Sequence, residues 1–217
     1  MSEFTPQILT LGFIYYIVFL FSTTCHEAAH ALVAKLGGDN TAELGGQVSL
    51  NPIPHIRRSP YGMVVFPLVS FFLLKGGMIG FASAPYDPSW ARRHPHRAAL
   101  MALAGPATNF TLMLLGALFL RVGHSLGWFS GPRSFSYILL FVIFSLNLLL
   151  GVFNLLPVPP LDGSSVIMLL MSEDRARSYI DTVRTSAYAM PGILVGILIF
   201  NYIFGPIEKF VSALLLP

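Results

Sequence analysis

Apolar residues fall into four long runs, Ile8 to Leu36, Ala98 to Leu120, Phe135 to Leu156 and Ala189 to about Leu214, separated by segments where Pro, Gly and charged residues gather. A helix rises about 1.5 Å per residue and needs about 20 apolar residues to cross the hydrocarbon core of a bilayer. Each run meets that length and predicts a membrane-spanning helix. A fifth run, Gly62 to Leu74, has 13 residues. That is roughly 20 Å of helix, short of a crossing, and predicts a re-entrant segment. It is followed by Lys75-Gly76-Gly77 and by Met78 to Ala84. Non-helical backbone at membrane depth survives only against protein or a wet cavity, so Met78 to Ala84 is expected as a short extended strand beside a cleft. The Pro-containing segments Asn51 to Pro60, Pro85 to Pro95 and Pro157 to Pro160 read as loops or helix breaks. The fold class that follows is an all-α polytopic membrane protein with about four transmembrane helices and one re-entrant segment. It is read as a single domain over 1–217, with its core at about 8–171 and a C-terminal membrane helix at about 189–214.

Composition narrows the setting. Of 217 residues, 54% are hydrophobic and 11% charged, against about a quarter charged in soluble domains. The net charge of +3 comes from bases in the loops, which fits membrane topology and not a nucleic-acid surface. If the fifth run returns to its own side, one face collects Lys35, Arg57, Arg58, Arg92, Arg93, Arg97, Arg175, Arg177 and Arg184, and the other keeps Arg121, Arg133 and Lys209. The basic excess places the first face in the cytoplasm. Met1 to Gln7 has no Lys or Arg, and the run behind it leads into ionisable residues, which predicts a retained helix and not a cleaved signal. Cys25, inside that run, reads as a small buried hydrophobe.

The first run contains His26-Glu27-Ala28-Ala29-His30. At about 100° per residue the two imidazoles lie about 40° apart on one face, one turn apart along the axis, with Glu27 about 100° from His26. That spacing makes a two-point clamp for Zn2+ with a carboxylate beside it, the layout of a metal-dependent hydrolase. Two His and one Glu inside a spanning segment are costly without partners, so a metal site outweighs polar packing. Zinc needs a third protein ligand. Asp162, in Asn154-Leu155-Leu156-Pro157-Val158-Pro159-Pro160-Leu161-Asp162-Gly163, follows a helix break able to aim a carboxylate into the bundle. It is favoured over a solvated turn aspartate because the other carboxylates lie in or near predicted loops or ends. His55, His94 and His96 are expected at solvated or headgroup-facing positions, and His124 on the opposite surface. Asn109, at the opening of the second run, and Asn154 read equally well as groups that steady a substrate or as interhelical hydrogen-bonding residues.

His26 to His30 in a membrane helix, Ala104-Gly105-Pro106-Ala107-Thr108-Asn109 in a later one, and the Asn154 to Gly163 run together resemble the site-2 protease family of intramembrane zinc metalloproteases. The resemblance spans about Ile8 to Met171. It implies hydrolysis of a peptide bond within or near a transmembrane segment of a protein or peptide substrate, in a bacterial inner membrane, with the active site toward the cytoplasmic face. By it, His26, His30 and Asp162 hold zinc, Glu27 is the general base, and Asn109 and Asn154 hold substrate or transition state. The stretches from Asp39 to Pro52 and Gly80 to Pro85 look like the small bacterial branch without PDZ or nucleotide-sensing modules. Members of that branch often have Arg where Gln47 stands and Lys where Ser83 stands. A membrane metal-binding or transport protein is the competing reading, disfavoured because its ligands would be spread along a path instead of converging beside a base.

Overall fold

A computed structural model describes residues 5–132, 134–183 and 189–217. Arg133 and Arg184, counted in the charge pattern, lie outside the described residues. The element order is α1 (Pro6–Leu36), α2 (Thr41–Leu44), α3 (Pro52–Arg58), α4 (Phe66–Leu73), α5 (Pro88–Arg93), α6 (Pro95–Ser125), α7 (Phe135–Asn154), α8 (Gly163–Val166), α9 (Glu173–Val183) and α10 (Ala189–Leu215). Helices α1, α6, α7 and α10 are long and apolar enough to span a membrane.

Local chemistry sets the ends of these helices. Thr5 caps α1, its hydroxyl accepting from the Ile8 N–H at 3.3 Å ahead of Pro6, and Lys35 sits in the last turn. Proline is tolerated at a first helical position because its missing N–H would be unpaired there anyway. α6 likewise begins on Pro95, earlier than the apolar pattern suggested, so Pro106 and Asn109 lie within the helix and not at its opening. The reason is that polar His96 and Arg97 extend the helix beyond its lipid-facing part.

α6 packs between α1 and α7. Its outer half is joined to α7 by an apolar cluster of Met113, Ala117, Leu120, Phe144 and Leu148. Close approach is set by Gly116, where a Cβ would lie 3.0 Å from the Phe144 backbone N. Lipid tails are as apolar as side chains, so such small-residue contacts, and not hydrophobic exclusion, bring membrane helices together.

The fifth run has the re-entrant form, a helical arm whose continuation turns back until Phe81 meets Gly62. After a π-helical turn at Tyr61–Val65, α4 runs to a turn at Leu74–Gly77, where Lys75 has φ 52° and Gly76 φ 107°. A Cβ on Gly76 would lie 3.8 Å from Ile8, so the turn sits beside the start of α1. Two aromatic rings dock the hairpin: Phe71 lies over Gly12, and Phe19 lies over Gly80. The returning arm, 77–87, is non-helical, but the expected strand is absent among the described residues. Its partner arm is helical, so no extended neighbour offers a ladder. The Phe81 N–H reaches Gly62 O at 3.0 Å and the Ile79 N–H reaches Ser70 Oγ at 2.8 Å.

The basic residues gather at the far end of α1. Lys35 pairs with Glu43 at 2.6 Å, Arg92 with Asp181 at 2.9 Å, and Arg97 donates to Gly37 O at 3.1 Å. Arg121 instead reaches Leu214 O at 3.4 Å, placing it at the opposite end with the close of α10. Asp39 joins this layer to α5 by accepting from the Thr41 N–H at 3.0 Å, the Thr41 hydroxyl and the Asp87 N–H at 2.8 Å. Burial pushes the Asp39 carboxyl up, and these bonds to its charged form outweigh that, holding it below the usual carboxylate range. His55 departs from its expected solvated position: it is buried, with Nε2 2.9 Å from Ser49 O. The loop from Ser49 folds back over α3 and covers it.

Candidate metal centre

His26 and His30 face α6 from the last third of α1, where an unbroken buried polar run begins at Ser22. His30 lies five residues before Lys35, about 7–8 Å along the axis from the basic end. Each imidazole is oriented through Nδ1. His26 Nδ1 is 2.6 Å from Asn109 Oδ1, and His30 Nδ1 is 2.7 Å from the Met101 carbonyl. A carbonyl oxygen only accepts, so both Nδ1 atoms carry the proton and a neutral ring leaves its lone pair on Nε2.

The two Nε2 atoms lie 2.9 Å apart, and Asp162 Oδ2 lies 3.1 Å from His26 Nε2 and 3.4 Å from His30 Nε2. Asp162 is delivered by the turn at 155–162, in which the Val158 N–H bonds Leu156 O at 2.8 Å and the Leu161 N–H bonds Val158 O at 3.0 Å. These three are a group able to hold a metal ion among the described residues. Three acceptors converging in a buried place repel one another unless a cation lies between them. Zinc with arms of about 2.0–2.1 Å sets tetrahedral ligands about 3.3 Å apart, close to the spacing here.

α6 leaves room at this point. A Cβ on Gly105 would lie 2.4 Å from both Nε2 atoms, so glycine keeps clear the space between the imidazoles and the helix. Glu27, 4% exposed, keeps Oε2 buried without a hydrogen-bond partner among the described residues. A buried unpaired carboxylate oxygen is costly unless a water or substrate proton is to meet it. The residue set therefore fits a zinc ion with an acid–base group alongside.

The two asparagines part company. Asn109 is fully buried, and its amide nitrogen donates to Asn147 Oδ1 at 2.9 Å, so both ends of its side chain are occupied by protein. Asn109 thus links α6 to both α1 and α7 by hydrogen bonds. Asn154 ends α7, half-buried, with no side-chain hydrogen bond among the described residues. Sequence reasoning passed over Asn147, Gly105 and the Met101 carbonyl. An amide midway along the very apolar run of α7 was the available signal for Asn147, whereas neither a backbone carbonyl nor a close approach leaves a mark in sequence. Gln47 and Ser83 are neighbours, Gln47 Nε2 lying 3.5 Å from Ser83 O.

Four helices long and apolar enough to span a bilayer, with three side chains able to hold a metal ion, define an integral membrane protein with a candidate metal centre. A model of Peptidase family M50 matches residues 14–198, and the chain belongs to that family, the site-2 protease family. It is 34% identical over 158 residues to "Putative zinc metalloprotease YwhC" of Bacillus subtilis, covering 70% of this chain and 66% of that one. It is 31% identical over 152 residues to "Putative zinc metalloprotease Rip2" of Mycobacterium tuberculosis H37Rv, covering 68% and 53%. A Mycolicibacterium smegmatis protein of the same name is 31% identical over 151 residues, covering 66% and 52%. The chain thus matches about half to two thirds of the length of these relatives. No solved structure matches it significantly.

Proposed function

We propose that this protein is an intramembrane zinc metalloprotease that hydrolyses peptide bonds within or near transmembrane segments of membrane-protein substrates. The observation that carries the reading is the convergence of His26 Nε2 and His30 Nε2 of membrane helix α1 with Asp162 Oδ2, with Glu27 Oε2 beside them lacking a partner among the described residues, in an M50 family member. His26, His30 and Asp162 hold the metal. When bound, zinc polarises a carbonyl and brings the pKa of water to about 7. Glu27 accepts the proton of the attacking water and returns it to the leaving amine, a role suited to an oxygen with no hydrogen-bond partner among the described residues. Asn154, with its amide uncommitted, orients the substrate backbone, and Asn109 supports His26. The basic end near His30 sets the site toward the cytoplasmic face of a bacterial inner membrane.

A helical substrate has its amides tied up and must be opened before cleavage. The non-helical arm at 77–87 has N–H groups, such as that of Ala82, without a partner among the described residues, and an opened substrate can align along it. Ala82→Pro is expected to reduce cleavage sharply with zinc content unchanged, and equal cleavage would remove that role.

The deciding experiment measures zinc content and cleavage of a panel of membrane-spanning peptides by purified protein. Glu27→Gln is expected to keep zinc and lose about 10²–10⁴-fold in rate, and Asp162→Ala to lose zinc. Zinc binding with cleavage no greater than that of Glu27→Gln would favour a metal-binding or transport role.

A further inference from the structure

A buried chain of hydrogen bonds runs from the candidate ligand His26 through α6 and α7 and back to α1. His26 Nδ1 meets Asn109 Oδ1 at 2.6 Å, Asn109 Nδ2 donates to Asn147 Oδ1 at 2.9 Å, and Asn147 Nδ2 donates both to Ser22 Oγ and to the Ile143 carbonyl, each at 2.9 Å. Ser22, Asn109 and Asn147 are all 0% exposed. An Asn side chain has a donor end and an acceptor end, and its orientation follows from its neighbours.

The neighbour that decides is the Ile143 carbonyl, which can only accept. It requires the nitrogen of Asn147 on its side, which turns the Asn147 oxygen toward α6. Asn109 must then present its nitrogen to Asn147 and its oxygen to His26. An oxygen there requires a proton on His26 Nδ1, which leaves the Nε2 lone pair facing His30 and Asp162. We infer that Asn147 is a positioning residue that, acting through Asn109 from a backbone carbonyl of α7, fixes the tautomer and ring orientation of His26 for metal binding. This rests on the metal-site reading above. Partners of this kind behind a ligating His typically contribute about 10–100-fold in metal affinity. His30 needs no such chain, because the Met101 carbonyl is itself an obligate acceptor.

Leucine at 147 fills similar space and removes the acceptor. Aspartate keeps an oxygen facing Asn109 in either protonation state. Zinc affinity of the full chain in detergent is measured by chelator competition, with ¹⁵N-histidine spectra of the metal-free protein reporting tautomers. Asn147→Leu is expected to weaken zinc binding roughly tenfold or more and to lose the single Nδ1–H form of His26, and Asn147→Asp to stay within about threefold of wild type. Equal affinity in Asn147→Leu and wild type, or equal losses in the Leu and Asp variants, would overturn the inference. So would an Nε2–H tautomer at His26 in the metal-free wild-type protein, a test independent of how the variants fold. A wild-type protein that binds no zinc would instead overturn the metal-site reading, whatever the tautomer.

Discussion

α1 and α10 are nearly indistinguishable by apolarity, with mean hydropathies of 1.9 and 1.8 over their most apolar stretches, yet 44% of the first stretch and 6% of the second are buried in the protein. The difference lies in the polar and small residues each helix carries. From Ser22 to His30, α1 places hydroxyls, imidazoles and a carboxylate where lipid cannot satisfy them, so α6 and α7 must surround it. α10 has no such run. It packs on α7 with Phe200 against Phe153, and it comes closest to the 155–162 turn at Gly192, where a Cβ would lie 1.7 Å from Pro159 O, and at Gly196 beside Val158 and Leu161. Burial inside a membrane thus follows unsatisfied polar groups and close backbone approach, not apolarity.

The sharpest way to break this contrast is at the α1–α6 contact. Gly105→Ala puts a methyl 2.4 Å from both Nε2 atoms and is expected to weaken zinc binding by about a hundredfold or more, beyond the usual outer-shell effect. Metal analysis after dialysis checks it, and normal zinc content would show that α6 can withdraw from α1.

On the α10 side, Gly192→Leu forces the helix off the turn that presents Asp162. The expected cost is about 1–3 kcal/mol of stability, with zinc affinity down roughly tenfold if the turn shifts with it. Thermal unfolding and chelator competition separate the two effects. Unchanged zinc affinity would leave α10 as an anchor alone.

At the basic end of α1, Asp39→Asn weakens the bonds to Thr41 and Asp87 and is expected to cost about 2 kcal/mol. The folded-state carboxyl is held below its usual value, so its contribution is present above the unfolded pKa of about 4 and is lost as pH falls through the lower folded value. The gap between wild type and variant in unfolding experiments should therefore shrink below about pH 4. A gap independent of pH would assign the effect to packing.

The smallest effect is expected at Gly205, where a Cβ would meet nothing within 4 Å. Gly205→Ala should change stability by no more than about 1 kcal/mol, in the stabilising direction, and leave zinc binding unaltered. Substantial loss would mean that this face of α10 is covered in the membrane by something other than lipid.

The spanning helices were legible because length and apolarity report directly on the cost of exposing backbone to lipid. The ligand candidates were legible for a related reason, since His26, Glu27 and His30 stand out against an apolar run, and one helical turn brings the imidazoles together. Asp162 was harder, because a Pro-Leu-Asp-Gly turn is ordinary in loops. The expected strand at Met78 to Ala84 did not form because pairing depends on the conformation of the opposite arm, which the local pattern does not contain. Asn109 reads two ways in the sequence, since nothing in its own helix reveals Asn147 across the interface.

The residue order by itself determined the number of spanning helices, the re-entrant character of the fifth run, and the pairing of His26 with His30, all consequences of 1.5 Å and 100° per residue against a fixed bilayer thickness. Tertiary structure alone decided that Asp162 reaches those imidazoles, that Gly105 leaves space between them and α6, and that Asn109 turns its oxygen to His26. Those relations join residues tens of positions apart, and they exist only where two helices approach closely enough for one hydrogen bond or one absent methyl group to matter.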